Sequence, residues 1–408
     1  MNILLINHYA GSSLHGMEYR PFYLAREWVK QGHSVTVVTA TFSHLRIRQD
    51  RACKSRKEEF IEGVRYVWLR TPRYHGNNLA RVANIALFSL PLLTRRSNGL
   101  SKSRADLVIA SSPHPFTIFG ASKIARSHRA RLVFEVRDLW PLTLIELTGL
   151  SRRNPLILAM QYAEEFAYRT SDHVVSLLPK ADRYMMEHGM EPRKFVYLPN
   201  GIDVDEWRQL NQPLPALHEG VLRELRRKGF FIVGYAGSHS HANCLHTLIE
   251  ASRILKSQPV ATVLVGQGPE KDVLQKMADQ ACVKNVVFLP PLPKSALGSL
   301  FEAADVLFIG WKDLPLYRYG ISPNKLLDYM MAGKPVIHAT RAGNDPVAES
   351  GCGVSIPPEN ASFLAQAVLK LKDTPLSERT SMGLRGRKHV LEHYDYRALA
   401  CRFLKKVV

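Results

Sequence analysis

Short apolar runs alternate along this chain with longer stretches in which apolar residues return every three or four positions. That alternation predicts strands followed by helices, the pattern of parallel sheets covered by helices. In the first half, Ile3 to Asn7 reads as a strand and runs into a loop through Gly11 and Gly16. A helix from about Tyr19 to Gln31 follows, with Leu24 and Trp28 on one face and Gly32 at its end. Further strands are predicted at Ser34 to Thr39, Val64 to Leu69, Leu107 to Ala110, Arg131 to Glu135, Asp172 to Ser176 and Lys194 to Leu198. The turn Pro199-Asn200-Gly201-Ile202-Asp203 closes this set, and the polar, Pro-containing stretch Asp205 to Lys228 leads into a second one. Its strands are Phe231 to Tyr235, Ala261 to Val265, Val286 to Phe288, Val306 to Ile309, Val336 to His338 and Gly353 to Ser355. One long helix from about Leu376 to Leu404 is expected to end the chain, carrying the aromatic pair Tyr394 and Tyr396.

The reading is α/β throughout, as two Rossmann-like units joined near residue 205. Residues 1–204 form the first domain, 205–380 the second, and 381–408 a helix packing back on the first. Substrates are expected in the crevice at the C-terminal ends of the strands. A length of 408 residues suits two domains. Apolar residues at 46% and charged residues at 22% fit a folded chain.

Cysteine usage narrows the chemistry. The five cysteines, Cys53, Cys244, Cys282, Cys352 and Cys401, lie far apart without a C-x-x-C pair. Neither a zinc site nor a disulfide framework is predicted, and a reducing compartment is. The opening M-N-I-L-L-I-N-H lacks the basic and long apolar regions of a secretory signal. The longest apolar run, Val82 to Thr94, contains Pro91 and is too short for a bilayer core of about 30 Å.

A formal charge of +19 calls for an anionic partner: nucleic acid, a diphosphate-bearing substrate or a membrane surface. Much of it is local, at Arg46 to Lys57, Arg95 to Arg104, Lys123 to Arg131 and Arg223 to Lys228. Aromatics do not interleave with these runs and no nucleic-acid motif is present, which argues against nucleic acid. The apolar run Ile85 to Leu93, flanked by Arg81, Arg95 and Arg96, reads instead as an interfacial element against an anionic bilayer.

The segment Gly320 to Ile337, G-I-S-P-N-K-L-L-D-Y-M-M-A-G-K-P-V-I, carries the sharpest chemistry. It runs from a loop into a short helix opened by Ser322-Pro323-Asn324-Lys325 and carrying Asp328, then through Gly333 and Pro335 into a strand. A helix start with Lys325 offers positive potential to phosphate oxygens. A carboxylate one turn on can accept from ribose hydroxyls. A capped amphipathic helix entering a strand is the plainer alternative.

This segment resembles the donor-binding helix of retaining glycosyltransferases of family 4, which has two acidic residues flanking seven others and a small-x-G-x-P-V turn. Asp328 fills the second acidic position, and Gly320 stands at the first. The S-P-x-K sequence resembles a bacterial branch acting on amino-deoxysugar nucleotides. The resemblance continues elsewhere. N-H-Y-A-G-S-S-L-H-G-M-E-Y-R is similar to the family's first glycine loop, where Gly16 would let backbone amides approach the donor. Tyr19 and Arg20 in the same segment would fall on the acceptor side. Gly32-His33-Ser34-Val35-Thr36-Val37, Phe195 to Asp203 and Val265-Gly266-Gln267-Gly268-Pro269 also match. The last of these lacks the rest of a dinucleotide fingerprint, so no NAD site is read from it.

Glu135-Val136-Arg137-Asp138-Leu139-Trp140-Pro141 follows an apolar strand directly. Arg137 could clamp phosphate, and Asp138 could accept a hydrogen bond from an acceptor hydroxyl. His114, in S-S-P-H-P-F, could line the crevice as a third catalytic residue. The family's second domain normally opens with Gly-Arg and a later Lys. Here Gly237-Ser238-His239-Ser240-His241-Ala242-Asn243 stands instead. Gly237, Ser238, His239 and Asn243, with Arg318, Ser322, Pro323, Asn324, Lys325 and Asp328, would then hold the donor, and no metal or other cofactor is expected.

The resemblance implies a GT-B fold and a hexosyl transfer from a UDP-sugar, with an N-acetylated amino-deoxysugar as the moving group. It implies a polyprenyl-diphosphate-linked saccharide acceptor and a cytoplasmic enzyme peripheral to the inner face of a bacterial membrane. A sugar-nucleotide epimerase of the same fold and a basic nucleic-acid-binding protein are the rival readings.

Overall fold

The computed structural model describes residues 1–47, 56–76, 79–94, 99–101 and 103–408. The chain divides into two compact units. The first comprises Met1–Gly201, Tyr319–Ser322 and Tyr396–Val408, the second Ile202–Arg318 and Pro323–Asp395. Each is a sheet between helical layers.

The first unit holds strands β1 (Asn2–Asn7), β2 (Ser34–Ala40), β3 (Arg56–Ile61), β4 (Val64–Leu69), β5 (Leu107–Ser111), β6 (Arg131–Val136), β7 (His173–Ser176) and β8 (Phe195–Tyr197). Their order is β3-β4-β2-β1-β5-β6-β7-β8. All pairs are parallel except β3 with β4. Central strands are covered on both faces, which is why they read as continuous apolar runs. β3 was not predicted: R-K-E-E-F-I is an antiparallel edge strand without an apolar run, and charge is how exposed edges are protected from further pairing.

The helix Arg20–Lys30 packs its Trp28 face on this sheet and against the chain's last helix, Tyr396–Val407, where Trp28 Nε1 donates to the Ala400 carbonyl at 3.1 Å. The single C-terminal helix expected from the sequence is in fact two, Leu376–His393 and Tyr396–Val407. The break has a backbone cause within the second unit: the Tyr394 carbonyl accepts from Ile202 N at 2.8 Å, and Asp395 bridges to Ile202. Tyr394 then joins the core of the second unit and Tyr396 that of the first.

In the second unit, β9 (Phe231–Ala236), β10 (Val260–Val265), β11 (Val286–Leu289), β12 (Val306–Gly310), β13 (Val336–Ala339) and β14 (Gly353–Ile356) lie in the order β11-β10-β9-β12-β13-β14, all parallel. Strand order reverses direction beside β1 in one sheet and beside β9 in the other. At such switch points the loops diverge and leave room for a ligand.

The apolar run singled out in the first half is the helix Leu79–Leu93. Arg95, Arg96, Lys102 and Cys53 lie outside the described residues. Among the described residues no helix is long and apolar enough to cross a membrane.

Candidate functional site

In the second unit the donor-side candidates gather where β9 ends. The helix Asn324–Met331 brings Lys325 there: its Nζ donates to the Tyr235 hydroxyl at 2.7 Å and to Asn243 Oδ1 at 3.3 Å. The ammonium lies 4.2 Å from the centroid of the Tyr235 ring, close enough for a cation–π contact. The tyrosine hydroxyl in turn donates to the Ser238 carbonyl at 2.7 Å, which also accepts from Asn243 Nδ2 at 2.9 Å. Desolvation lowers the Lys325 ammonium to about 8, with Asp328 opposing.

Two glycines permit this packing. Gly237 has φ +144, and a Cβ on it would lie 2.8 Å from both Cε and Nζ of Lys325. Gly266, at φ +147, presses the loop after β10 onto the loop after β9, since a Cβ there would fall 2.0 Å from the Gly237 carbonyl oxygen.

His239 is pinned by the same loops. Its N–H donates to the Gln267 carbonyl at 3.0 Å, and its carbonyl accepts from Glu270 N at 2.9 Å. The side chain is fully buried, yet neither ring nitrogen has a hydrogen-bond partner in the chain. Burial, then Lys271 and Lys325, hold the imidazole down at about 4, so it is neutral at physiological pH. One helical turn beyond Lys325, desolvation pushes the Asp328 carboxyl up to about 7. Lys294 and Lys325 oppose that rise, and Glu206, held by Lys294 at 2.6 Å, adds to it.

Not every donor-side candidate joins this cluster. Ser238 takes part through its carbonyl oxygen. Arg318 is exposed at the end of the turn Pro315–Tyr319, and Asn324 is exposed at the helix start behind its N-cap, Pro323. Ser322 belongs to the first unit, where its hydroxyl accepts from Asn200 N at 2.8 Å and its carbonyl from Asn200 Nδ2 at 2.7 Å. Gly16 also lies in the first unit. Its amide donates to the Ser12 carbonyl at 2.9 Å within a tight turn, so the amide expected to approach the donor is already used inside the chain.

The first unit has its own cavity, of about 160 Å³, at the ends of β1, β5 and β6. Tyr9, Glu18, His44, Leu45, Arg81, Pro113, Arg137 and Asp138 line it. Arg137 pairs with Glu18, and its backbone N–H donates to Ser112 Oγ at 2.9 Å. Asp138 opens to solvent, but the surrounding protein strips enough water to push its carboxyl up to about 6. Arg137 opposes that rise and Glu18 reinforces it. Arg137 and Asp138 therefore do stand together.

Their companions differ from expectation. Arg20 is buried and turned inward, its guanidinium bonded to Glu135 at 3.0 Å and to the carbonyls of Leu198 and Pro199. Tyr19 packs against the core. His114 is buried behind the cavity, with Nε2 2.7 Å from Nδ1 of the equally buried His8. Burial and then Arg81 hold it at about 3, so it is a neutral imidazole, not a cation, near neutral pH.

Sequence reasoning missed Tyr235, Tyr9, Glu18 and His44. For Tyr235 a signal existed: a hydroxyl-bearing aromatic one residue from the end of an apolar strand, directly before a glycine loop. Among the described residues no group of three His, Cys, Asp or Glu side chains is placed to hold a metal ion.

Comparison with known proteins identifies the two halves of the chain. Residues 15–201 match the glycosyl transferase 4-like domain, and residues 230–374 match glycosyl transferases group 1. WcaI of Escherichia coli strain K12, described as a colanic acid biosynthesis glycosyl transferase, is 26% identical over 391 residues, covering 90% of this chain and 92% of its own. Sucrose-phosphate synthase from Thermosynechococcus elongatus superposes with a TM-score of 0.72 at 16% identity, covering 99% of this chain and 97% of that one. Anabaena HepE in complex with UDP-glucose does so with a TM-score of 0.64 at 15% identity, covering 99% and 98%. At such identities the structural likeness speaks to the fold. The chain is a glycosyltransferase of the GT-B type, with a 4-like domain in its first half and a group 1 domain in its second.

Proposed function

We propose that this enzyme moves a hexosyl unit, an N-acetylated amino-deoxysugar, from a UDP-sugar to a polyprenyl-diphosphate-linked saccharide with retention of configuration. The setting is bacterial surface-polysaccharide assembly at the inner face of the cell membrane. The carrying observation is the cluster at the end of β9. There a desolvated ammonium and a buried imidazole with two unsatisfied nitrogens border loops with no room for a side chain at Gly237 and Gly266. A half-desolvated cation beside a glycine-tightened loop at a strand end suits a diphosphate.

In the reaction, the bond from the anomeric carbon to the donor diphosphate breaks, and one to the acceptor oxygen forms on the same face. The hydroxyl proton passes to the departing phosphate oxygen, with Asp138 accepting a hydrogen bond from that hydroxyl beforehand. Lys325 and the helix start stabilise the charge that builds on the leaving group, and electrostatic stabilisation of this kind contributes most to such catalysis. These protein groups do the work a metal ion would otherwise do.

UDP as carrier is supported by the UDP-glucose held by HepE, and the polysaccharide setting by WcaI. The amino-deoxysugar is supported by Ser322-Pro323-Asn324-Lys325 and by Ser238 and Asn243 at the usual Arg and Lys positions. Membrane contact is supported by the helix Leu79–Leu93, whose outward side chains Leu79, Val82, Leu87, Leu90 and Leu93 are all large, apolar and exposed.

A thermal-shift screen of UDP-N-acetylhexosamines, UDP-glucose and GDP-sugars tests the donor assignment. The UDP-N-acetyl sugars should stabilise most, by about 2.7 kcal/mol at 100 times the dissociation constant. Stabilisation by GDP-sugars alone, or by none, would overturn it.

A further inference from the structure

The helix Leu79–Leu93 has two working faces. Its exposed face carries Leu79, Val82, Leu87 and Leu90, with exposures of 86, 41, 48 and 53%. Arg81 lies roughly 200° around from Leu79, at about 100° per residue, on the side of the buried Phe88. The sequence suggested that Arg81 flanks the apolar run at a bilayer. In the structure it is half-buried and lines the first unit's cavity instead.

That cavity is chemically two-sided. Glu18, Arg137 and Asp138 form one cluster. The other is Arg81 with Tyr74 and His44: the guanidinium lies 5.8 Å from the Tyr74 ring, and the Tyr74 hydroxyl is 2.6 Å from His44 Nδ1. The carboxylate side suits a sugar hydroxyl. The guanidinium side suits a phosphate, the group arginine recognises best. A volume of about 160 Å³ equals roughly five waters at about 30 Å³ each, room for one such group beside a sugar edge.

The surroundings choose between lipid-borne and free phosphate. Between Glu62 and Asp106 there is no acidic residue, and, beyond the buried Arg65 and the cavity's Arg81, Arg70, Arg73, Arg95, Arg96, Lys102 and Arg104 are basic. A stretch of that charge around an exposed apolar helix fits an anionic bilayer.

We infer that Arg81 reads the diphosphate of the lipid-linked acceptor, while the opposite face of the same helix rests in the bilayer that carries the acceptor's prenyl chain. This rests on the lipid-linked reading given above. It makes Arg81 a specificity residue: an acceptor sugar without its diphosphate would fill the carboxylate side and leave the guanidinium without its ligand.

The test measures binding of geranylgeranyl diphosphate, geranylgeraniol and inorganic pyrophosphate to the full chain. It also measures flotation with phosphatidylcholine vesicles with and without phosphatidylglycerol. The proteins are wild type, Arg81→Gln, Arg81→Lys and, as an equal change of charge at an exposed site, Arg73→Gln. Expected is a preference for the diphosphate over the alcohol, lost about tenfold or more in Arg81→Gln, partly kept in Arg81→Lys and kept within about twofold in Arg73→Gln. Flotation and UDP affinity should hardly change in Arg81→Gln, and unchanged UDP affinity also verifies folding. If Arg81→Gln binds the diphosphate like wild type, or if Arg73→Gln loses it equally, the role of Arg81 is refuted and the lipid-linked reading stands. If wild type does not distinguish diphosphate from alcohol, the lipid-linked reading itself fails. If pyrophosphate binds as tightly as the prenyl diphosphate, the site serves a free anion and the inference is wrong.

Discussion

The two candidate sites are built from different materials. At the end of β9 the second unit uses backbone: glycines at 237 and 266 bring two loops together, and one lysine supplies the charge. At the ends of β1, β5 and β6 the first unit uses side chains, with acids and bases facing one another across a cavity. A diphosphate is shared by many nucleotide-sugar donors, and a cation beside close-packed backbone can meet it without regard to the sugar. An acceptor must be told apart from its relatives, and that takes side chains which can be exchanged one at a time.

The sharpest way to break this contrast is at Lys325. Lys325→Ala should lower kcat by about 10²–10³-fold and raise KM much less, because its ammonium opposes charge that appears only as the diphosphate leaves. Held at about 8 in the empty enzyme, the ammonium is present below that pH and lost above it, so wild-type kcat/KM should decline as pH rises through 8. Lys325→Ala should lack that limb. Steady-state kinetics between pH 7 and 9 decide it, and a pure KM effect would reduce Lys325 to a donor collector.

Asp138 probes the other side. Asp138→Asn should slow transfer by about 10²-fold while UDP affinity stays put. The carboxyl is held at about 6 and accepts more strongly from the hydroxyl when ionised, so wild-type rates should fall as pH drops below 6. A collapse of donor affinity in the mutant would mean that the two sites do not divide the substrates between donor and acceptor.

The smallest effect is expected at Asp328. Asp328→Ala should weaken UDP by about 1–3 kcal/mol, the usual cost of leaving hydroxyls without a partner. Isothermal titration of UDP, with uridine as the companion ligand, should show the same loss for both if the carboxylate holds ribose. Unchanged affinity would remove it from the donor site.

The same contrast explains what could be read from sequence. The central strands were legible because burial on both faces leaves an unbroken apolar run, and the glycine loops because a tight turn demands a fixed residue. The cavity was not, because Tyr9 and Glu18, His44, and Arg81 come from three separated segments that only the sheet topology brings together. Arg20 and Arg137 illustrate the difficulty. Sequence places both arginines on the acceptor side. Yet Arg20, opening a helix, is spent on Glu135 and two backbone carbonyls, while Arg137, following a strand, lines the cavity with Glu18. The break at Tyr394 was equally hidden, since neither glycine nor proline marks it and its cause is a hydrogen bond from Ile202.

The lysine resting on Tyr235 has a thermodynamic consequence. Folding has already stripped much of its water, so the unliganded protein holds this proton less tightly than the unfolded chain does. The unfolded chain holds that proton up to the ordinary lysine value of 10.5, the folded one only to about 8. Between those limits the unfolded state binds more protons, so this residue makes the empty enzyme more stable as pH rises. A diphosphate bound beside it would weaken that dependence by giving the proton a reason to stay. Resilience without substrate and readiness for it are thus opposed in one side chain, a trade-off between stability and activity that a more comfortable lysine would not have to make.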